Sequence, residues 1–147
     1  MTTFNDIVQM FGGVPALAGV PFSKNAKYYF VDPVNGDSGN SGTSIEDPLD
    51  SVTTAEDKCV ANQHDTIFYM AASSTDAWTA SLTWDKSYTH LIGICAPTMI
   101  AQRARIHNET TSGQTPLLDI SATGCIFKNF YIFQGVDEAV ANINVQV

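Results

Sequence analysis

The side chains able to do chemistry are spread thinly along this chain. Asp65, Asp85 and Asp119, with Arg103, Arg105 and His107, supply carboxylates and bases of the kinds that glycoside cleavage uses in pairs. Asp32, Asn35, Asp37 and Asn40 lie close enough in sequence to offer oxygen ligands to Ca²⁺, which takes about six to eight of them. That stretch lacks the terminal bidentate Glu of an EF-hand loop, and Asx side chains bonding their own backbone into turns are the favoured reading.

His64, His90 and His107 are scattered without a shared nucleophile, so each is expected at the surface or in a turn. Arg103 and Arg105 alternate in RARI and share one side of a strand. They could pair with carboxylates of a neighbour or simply form a solvated face. Among Phe127, Phe130, Tyr131 and Phe133, two are expected inside the core and two on a surface. Cys59, Cys95 and Cys125 form no CxxC and have no His at ligand spacing, which leaves reduced, buried thiols rather than zinc or a disulfide framework. No cofactor and no metal is expected.

Of the 147 residues, 44% are hydrophobic and 15% charged, enough apolar material for one core without disulfides. The net charge of −8 repels phosphate backbones and anionic membranes, so neither nucleic acid nor membrane is an expected partner. The densest acids, Glu46, Asp47, Asp50, Glu56 and Asp57, read as a solvated face. The start, MTTFNDIVQMFGG, lacks the basic region of a secretory signal, and no apolar run reaches the length of a membrane span. A soluble product made in a reducing cytoplasm is expected.

The elements that must position these residues fall into three parts. In residues 1–22, Thr2 or Thr3 can cap a short helix with Phe4, Ile7, Val8 and Phe11 on one face, ended by Gly12 and Gly13. GVPALAGVPF follows as an extended connector. A helix of about ten residues is marginal alone in water, so this stripe needs something to lie on. Residues 23–64 hold the strand KYYFVDP, a Gly/Asn/Asp loop, and an amphipathic helix N-capped by Ser51. Val52, Ala55, Cys59 and Val60 face one side of it, Glu56 and Asp57 the other.

From residue 65 to 147 come short strands: DTIFYMA, SLTW, THLIGICAP, RARIHN, PLLDIS, CIFKNFYIF and ANINVQV. After Gly36 there is no Asn-Gly or Asp-Gly of the kind tight antiparallel hairpins use, which favours parallel coils over a sandwich or barrel.

The run YYFVDPVNGDSGNSGTSIEDPLDSVTTAEDKCVANQHDTIFYM resembles the opening of pectate-lyase-like right-handed β-helix proteins. It has a strand ending in Val-Asp, a Gly/Asn/Ser loop, a step into a capping helix, then Asp-Thr-Ile as the first coil strand. The resemblance implies a mainly β fold: a right-handed single-stranded parallel β-helix, represented by its N-terminal coils, with a short capping helix and an N-terminal attachment segment. Val52, Ala55 and Cys59 would belong to the cap. TTFNDIVQMFGGVP, THLIGICAPTMIAQRARI and GCIFKNFYIF are similar to phage-encoded proteins that accompany capsids.

That second likeness implies a non-enzymatic virion structural protein, a head fibre or decoration protein. Phe4, Ile7, Val8, Phe11, Val14, Leu17, Val20 and Phe22 would bind the capsid or another virion protein, and by analogy with phage fibres the chain would form a homotrimer. A receptor-binding or polysaccharide-depolymerising tailspike is the alternative. For that role, Asp65, Asp85, Asp119, Arg103, Arg105 and His107 would have to repeat along successive coils, and they do not. The chain stops at Val147 inside an apparent strand, INVQV, so further coils or another subunit are expected to cover that end.

Overall fold

A computed structural model of the protein describes residues 20–21, 23–70, 73–94, 104–108, 116–133 and 145–147. The protein is mainly β, with parallel sheets and, among the described residues, one short helix. No helix there is long and apolar enough to cross a membrane. The expected helix with Phe4, Ile7, Val8 and Phe11, and the connector up to Leu17, lie outside the described residues.

Sheet A holds β1 (Tyr28–Val31), β2 (Thr66–Met70), β5 (His90–Ile94) and β8 (Ile126–Lys128) in that order. Sheet B holds β3 (Asp76–Trp78), β6 (Arg105–Asn108) and β9 (Tyr131–Phe133), and sheet C holds β4 (Leu82–Trp84), β7 (Leu118–Ile120) and β10 (Val145–Gln146). Every strand pair is parallel. The chain therefore visits the sheets in a fixed order, and β2–β3–β4, β5–β6–β7 and β8–β9–β10 each place one strand in each sheet.

Register sets side chains in rows across the sheets. Tyr29, Ile67, Leu91 and Phe127 stand in one row across sheet A, and Asp76, Ile106 and Ile132 in one row across sheet B. Together with Val31, Leu49, Trp84 and Leu118, the apolar members of these rows line a single core. A recurrent bend fixes the entry to sheet A. His64, Tyr88 and Gly124, each two residues before a sheet A strand, have φ of 63°, 57° and 70°. At Gly124 a Cβ would sit 2.5 Å from the Tyr88 ring, so glycine is required there.

Helix α1 (Val52–Lys58) forms where Ser51 stops the extended chain and its hydroxyl accepts from the Thr54 N–H at 3.2 Å. Val52, Ala55 and the C-cap Cys59 enter the core as their spacing predicts, whereas Val60 is exposed. Hydrogen bonds tie the helix to β1, to β3 and to the segment after β4. The Tyr29 hydroxyl of β1 donates to the Lys58 carbonyl at 3.0 Å, and the Val52 N–H donates to Asp76 of β3 at 2.7 Å. Lys86, just after β4, donates to the Glu56 carbonyl at 2.5 Å.

Glu56 corrects the expected solvated acidic face. It is 4% exposed and pairs with Lys86 at 3.2 Å. Burial pushes its carboxyl up and the Lys86 ammonium pulls it back. Two further differences have local causes. The three-residue strand Asp76–Trp78 is too short for periodicity to reveal, and CIFKNFYIF divides into β8 and β9 because Asn129 between them turns at φ 61°.

Candidate functional site

Among the described residues, those expected to form a carbohydrate-cleaving set do not converge. Asp65 is fully buried and holds the fold together: one carboxylate oxygen accepts from the Lys27 N–H and the other from the Val60 N–H, both at 2.8 Å. Asp85 is exposed after β4, and Asp119 points away from the core on β7, in register with Thr83. Arg105 and His107 point outward from β6 on sheet B. Arg103 and Cys95 lie outside the described residues.

In the Gly/Asn/Asp loop the carboxylates close turns. Asp32 accepts from the N–H groups of Val34 and Asn35 at 2.9 and 3.2 Å and from the Asn35 side chain at 2.9 Å; Asp37 accepts from the Gly39 N–H at 2.7 Å. These bonds explain the lowered Asp32 pKa, against a desolvation that works to raise it. Among the described residues, no group of three or more His, Cys, Asp or Glu could hold a metal ion. Cys59 is buried and Cys125 half-buried; neither is in a disulfide, and burial pushes the Cys59 thiol well up, away from thiolate chemistry.

Three arrangements remain that could act. The first is a cleft of about 480 Å³ between the start of α1 and the β3–β4 turn, lined by Asp50, Ser51, Thr53, Asp57, Asp76 and Thr79 among others. Asp76 is 4% exposed. Burial pushes its carboxyl up to about 6, and the charge of Asp50 adds to the effect, while the Val52 N–H opposes it. Its own N–H donates to the Tyr69 hydroxyl at 3.0 Å, and that hydroxyl donates to the Arg105 carbonyl. Asp76 is thus an inward cap for the first turn of α1. Sequence reasoning missed it, because an isolated Asp before Ala-Trp carries no cap signal when its helix lies earlier in the chain.

The second arrangement joins two histidines that sequence placed apart. His90 is fully buried rather than in a surface turn; its Nε2 lies 3.1 Å from His64 Nδ1, with ring centroids 5.4 Å apart and ring planes inclined at 15°. The third is an aromatic row on the outer face of sheet B. His107 stacks flat on Phe133 at 5.2 Å, Phe133 stacks on Tyr131 at 5.4 Å, and Tyr131 is 51% exposed. Phe127 turns inward instead, edge-on to Trp84 at 5.0 Å and to Phe130 at 6.4 Å.

No protein-family model, curated protein or solved structure matches this chain. Of the expected capsid-binding residues, only Val20 is described, and it is half-buried. Phe4, Ile7, Val8, Phe11, Val14, Leu17 and Phe22 lie outside the described residues.

Proposed function

We propose that this chain is a non-enzymatic structural protein of a bacteriophage particle, of the head-fibre or decoration type. Its body is a right-handed single-stranded parallel β-helix, closed at one end by α1. The observation that carries this reading is the fixed order of the strands, with three successive triplets each giving one strand to each of three parallel sheets. Such a stack is a rigid spacer whose buried polar groups hold backbone, as Asp65 and Asp76 do here. The particle assignment rests on the likeness of residues 2–15, 89–106 and 124–133 to phage-encoded proteins. Residues 1–22 attach the chain to a capsid or another virion protein, three copies associate, and the chain is made in the cytoplasm of the bacterial host.

Deleting residues 1–22 tests the attachment. The truncated chain is expected to fold yet be missing from purified particles; its incorporation at the normal level would refute the anchor. Light scattering on the intact chain should return the mass of three copies.

The outer aromatic row supports a second reading, a spike that binds or depolymerises host polysaccharide. Aromatic faces stack against sugar rings, and Arg105 and His107 stand in the same two strands. Under that reading Tyr131→Ala weakens binding of the host polysaccharide about tenfold, as measured by calorimetry, with the fold unchanged. The structural reading predicts no binding by either protein.

A further inference from the structure

We propose that His64 and His90 form an acid-sensitive latch that fastens the start of β8 to β5 and opens when either ring gains a proton. His90 stands in register between Thr66 of β2 and Ile126 of β8. Both of its ring nitrogens are engaged: the Ile126 N–H lies 3.1 Å from Nδ1, and His64 Nδ1 lies 3.1 Å from Nε2.

The donor inventory fixes the protons. A backbone N–H can only donate, so His90 Nδ1 must offer its lone pair to Ile126. A neutral imidazole with a bare Nδ1 carries its proton on Nε2, and here that proton points at His64. His64 Nδ1 must therefore accept, which leaves His64 neutral as well. A proton added to His90 sets an N–H against the Ile126 N–H, and one added to His64 sets an N–H against His90. Either event replaces a hydrogen bond with two opposed donors between ring edges whose planes are inclined at only 15°.

The surroundings offer little compensation. Asp65 is the anionic group that favours the protonated His90, but both its oxygens already accept from the Lys27 and Val60 amides. Tyr88 meets His64 edge-on at 5.4 Å. The neighbours in register, Thr66 and Ile126, do not titrate; Cys125, beside Ile126, donates its thiol to the carbonyls of Lys86 and Thr123, and the Lys86 ammonium is held by Glu56. Burial first, then the neighbouring His64, lower the His90 pKa to about 4, with Asp65 opposing. The latch also holds strained backbone, since His64 and Tyr88 both sit in the left-handed region.

The test uses the full chain. Side-chain ¹⁵N NMR should show His90 as the Nε2–H tautomer at pH 7.5 and still neutral at pH 5.5. His90→Asn places an amide oxygen near the Nδ1 position, keeps an acceptor for Ile126 and cannot titrate. Its Tm relative to the unsubstituted protein should rise by roughly 4 °C between pH 7 and pH 5. Taking this difference removes the contribution of the carboxylates, Asp76 above all, which acts with the opposite sign in that range. A His90 that titrates at or above its ordinary value of 6.5, or Tm curves that run parallel, would overturn the latch. If His90→Asn does not fold, the NMR titration of the unsubstituted protein decides alone.

Discussion

Beside β1, the edge of sheet A is met by its own loop. The Phe30 N–H donates to the Gly42 carbonyl at 2.7 Å, the Leu49 N–H to the Phe30 carbonyl at 2.9 Å, and the Asp32 N–H to the Leu49 carbonyl at 2.9 Å. Leu49 is fully buried and α1 packs against β1 and β2. At the other edges of the three sheets, β8, β9 and β10 show no fully buried side chain, and Tyr131, Val145 and Val147 are exposed. The contrast shows what a stack of parallel strands requires. Each strand satisfies its neighbours, so the demand collects at the ends, and among the described residues a loop and a helix meet it beside β1.

The largest test of this asymmetry is Leu49→Ala. It empties a fully buried site beside β1 and should reduce stability by about 2–5 kcal/mol in chemical denaturation. A loss below about 1 kcal/mol would mean that the loop is only draped over the edge.

Asp76→Asn comes next and depends on pH. The folded carboxyl titrates at about 6, against an ordinary value of 3.8, so between these pH values the folded chain holds a proton that the unfolded chain releases. Stability contributed by this group is therefore lost as pH rises through that window. At pH 7 the asparagine variant should be more stable than the unsubstituted protein by about 1–3 kcal/mol, and the gain should vanish near pH 4. A gain independent of pH would show that Asp76 is ionised throughout.

Ser51→Ala removes the cap of α1 and should lower stability by about 1 kcal/mol. Smallest is Val145→Ala on β10, where a change within about 0.5 kcal/mol is expected because the side chain is 42% exposed. A loss there equal to that at Leu49 would erase the difference between the ends.

The well-covered end was also the more legible in sequence. Ser51 announces its helix, Val52 and Ala55 announce its buried face, and Asx residues announce the turns of the loop, because each signal acts within a few residues. The parallel pairing followed from the missing tight-turn pairs. What stayed hidden depends on contacts between distant segments. Glu56 looks solvent-facing until Lys86 arrives from the segment after β4, and Asp76 looks idle until Val52 presents its N–H. His64 meets His90 because the strands they introduce and occupy pair in register, and the unequal spacing from Thr66 to His90 and from His90 to Ile126 gives no repeat to read. Of the carboxylates and bases of the carbohydrate-cleaving set that are described, the fold buries Asp65, leaves Asp85 exposed after β4, and puts Asp119 on sheet C and Arg105 and His107 on sheet B.

Native-state hydrogen exchange on the intact chain tests the central contrast most directly, by comparing one edge of sheet A with the other. The account predicts that the Phe30 and Asp32 amides of the β1 edge exchange more slowly than those of β8, β9 and β10, by roughly tenfold or more after correction for intrinsic rates. Equal protection at the two ends, or slower exchange in β8 to β10, would contradict it.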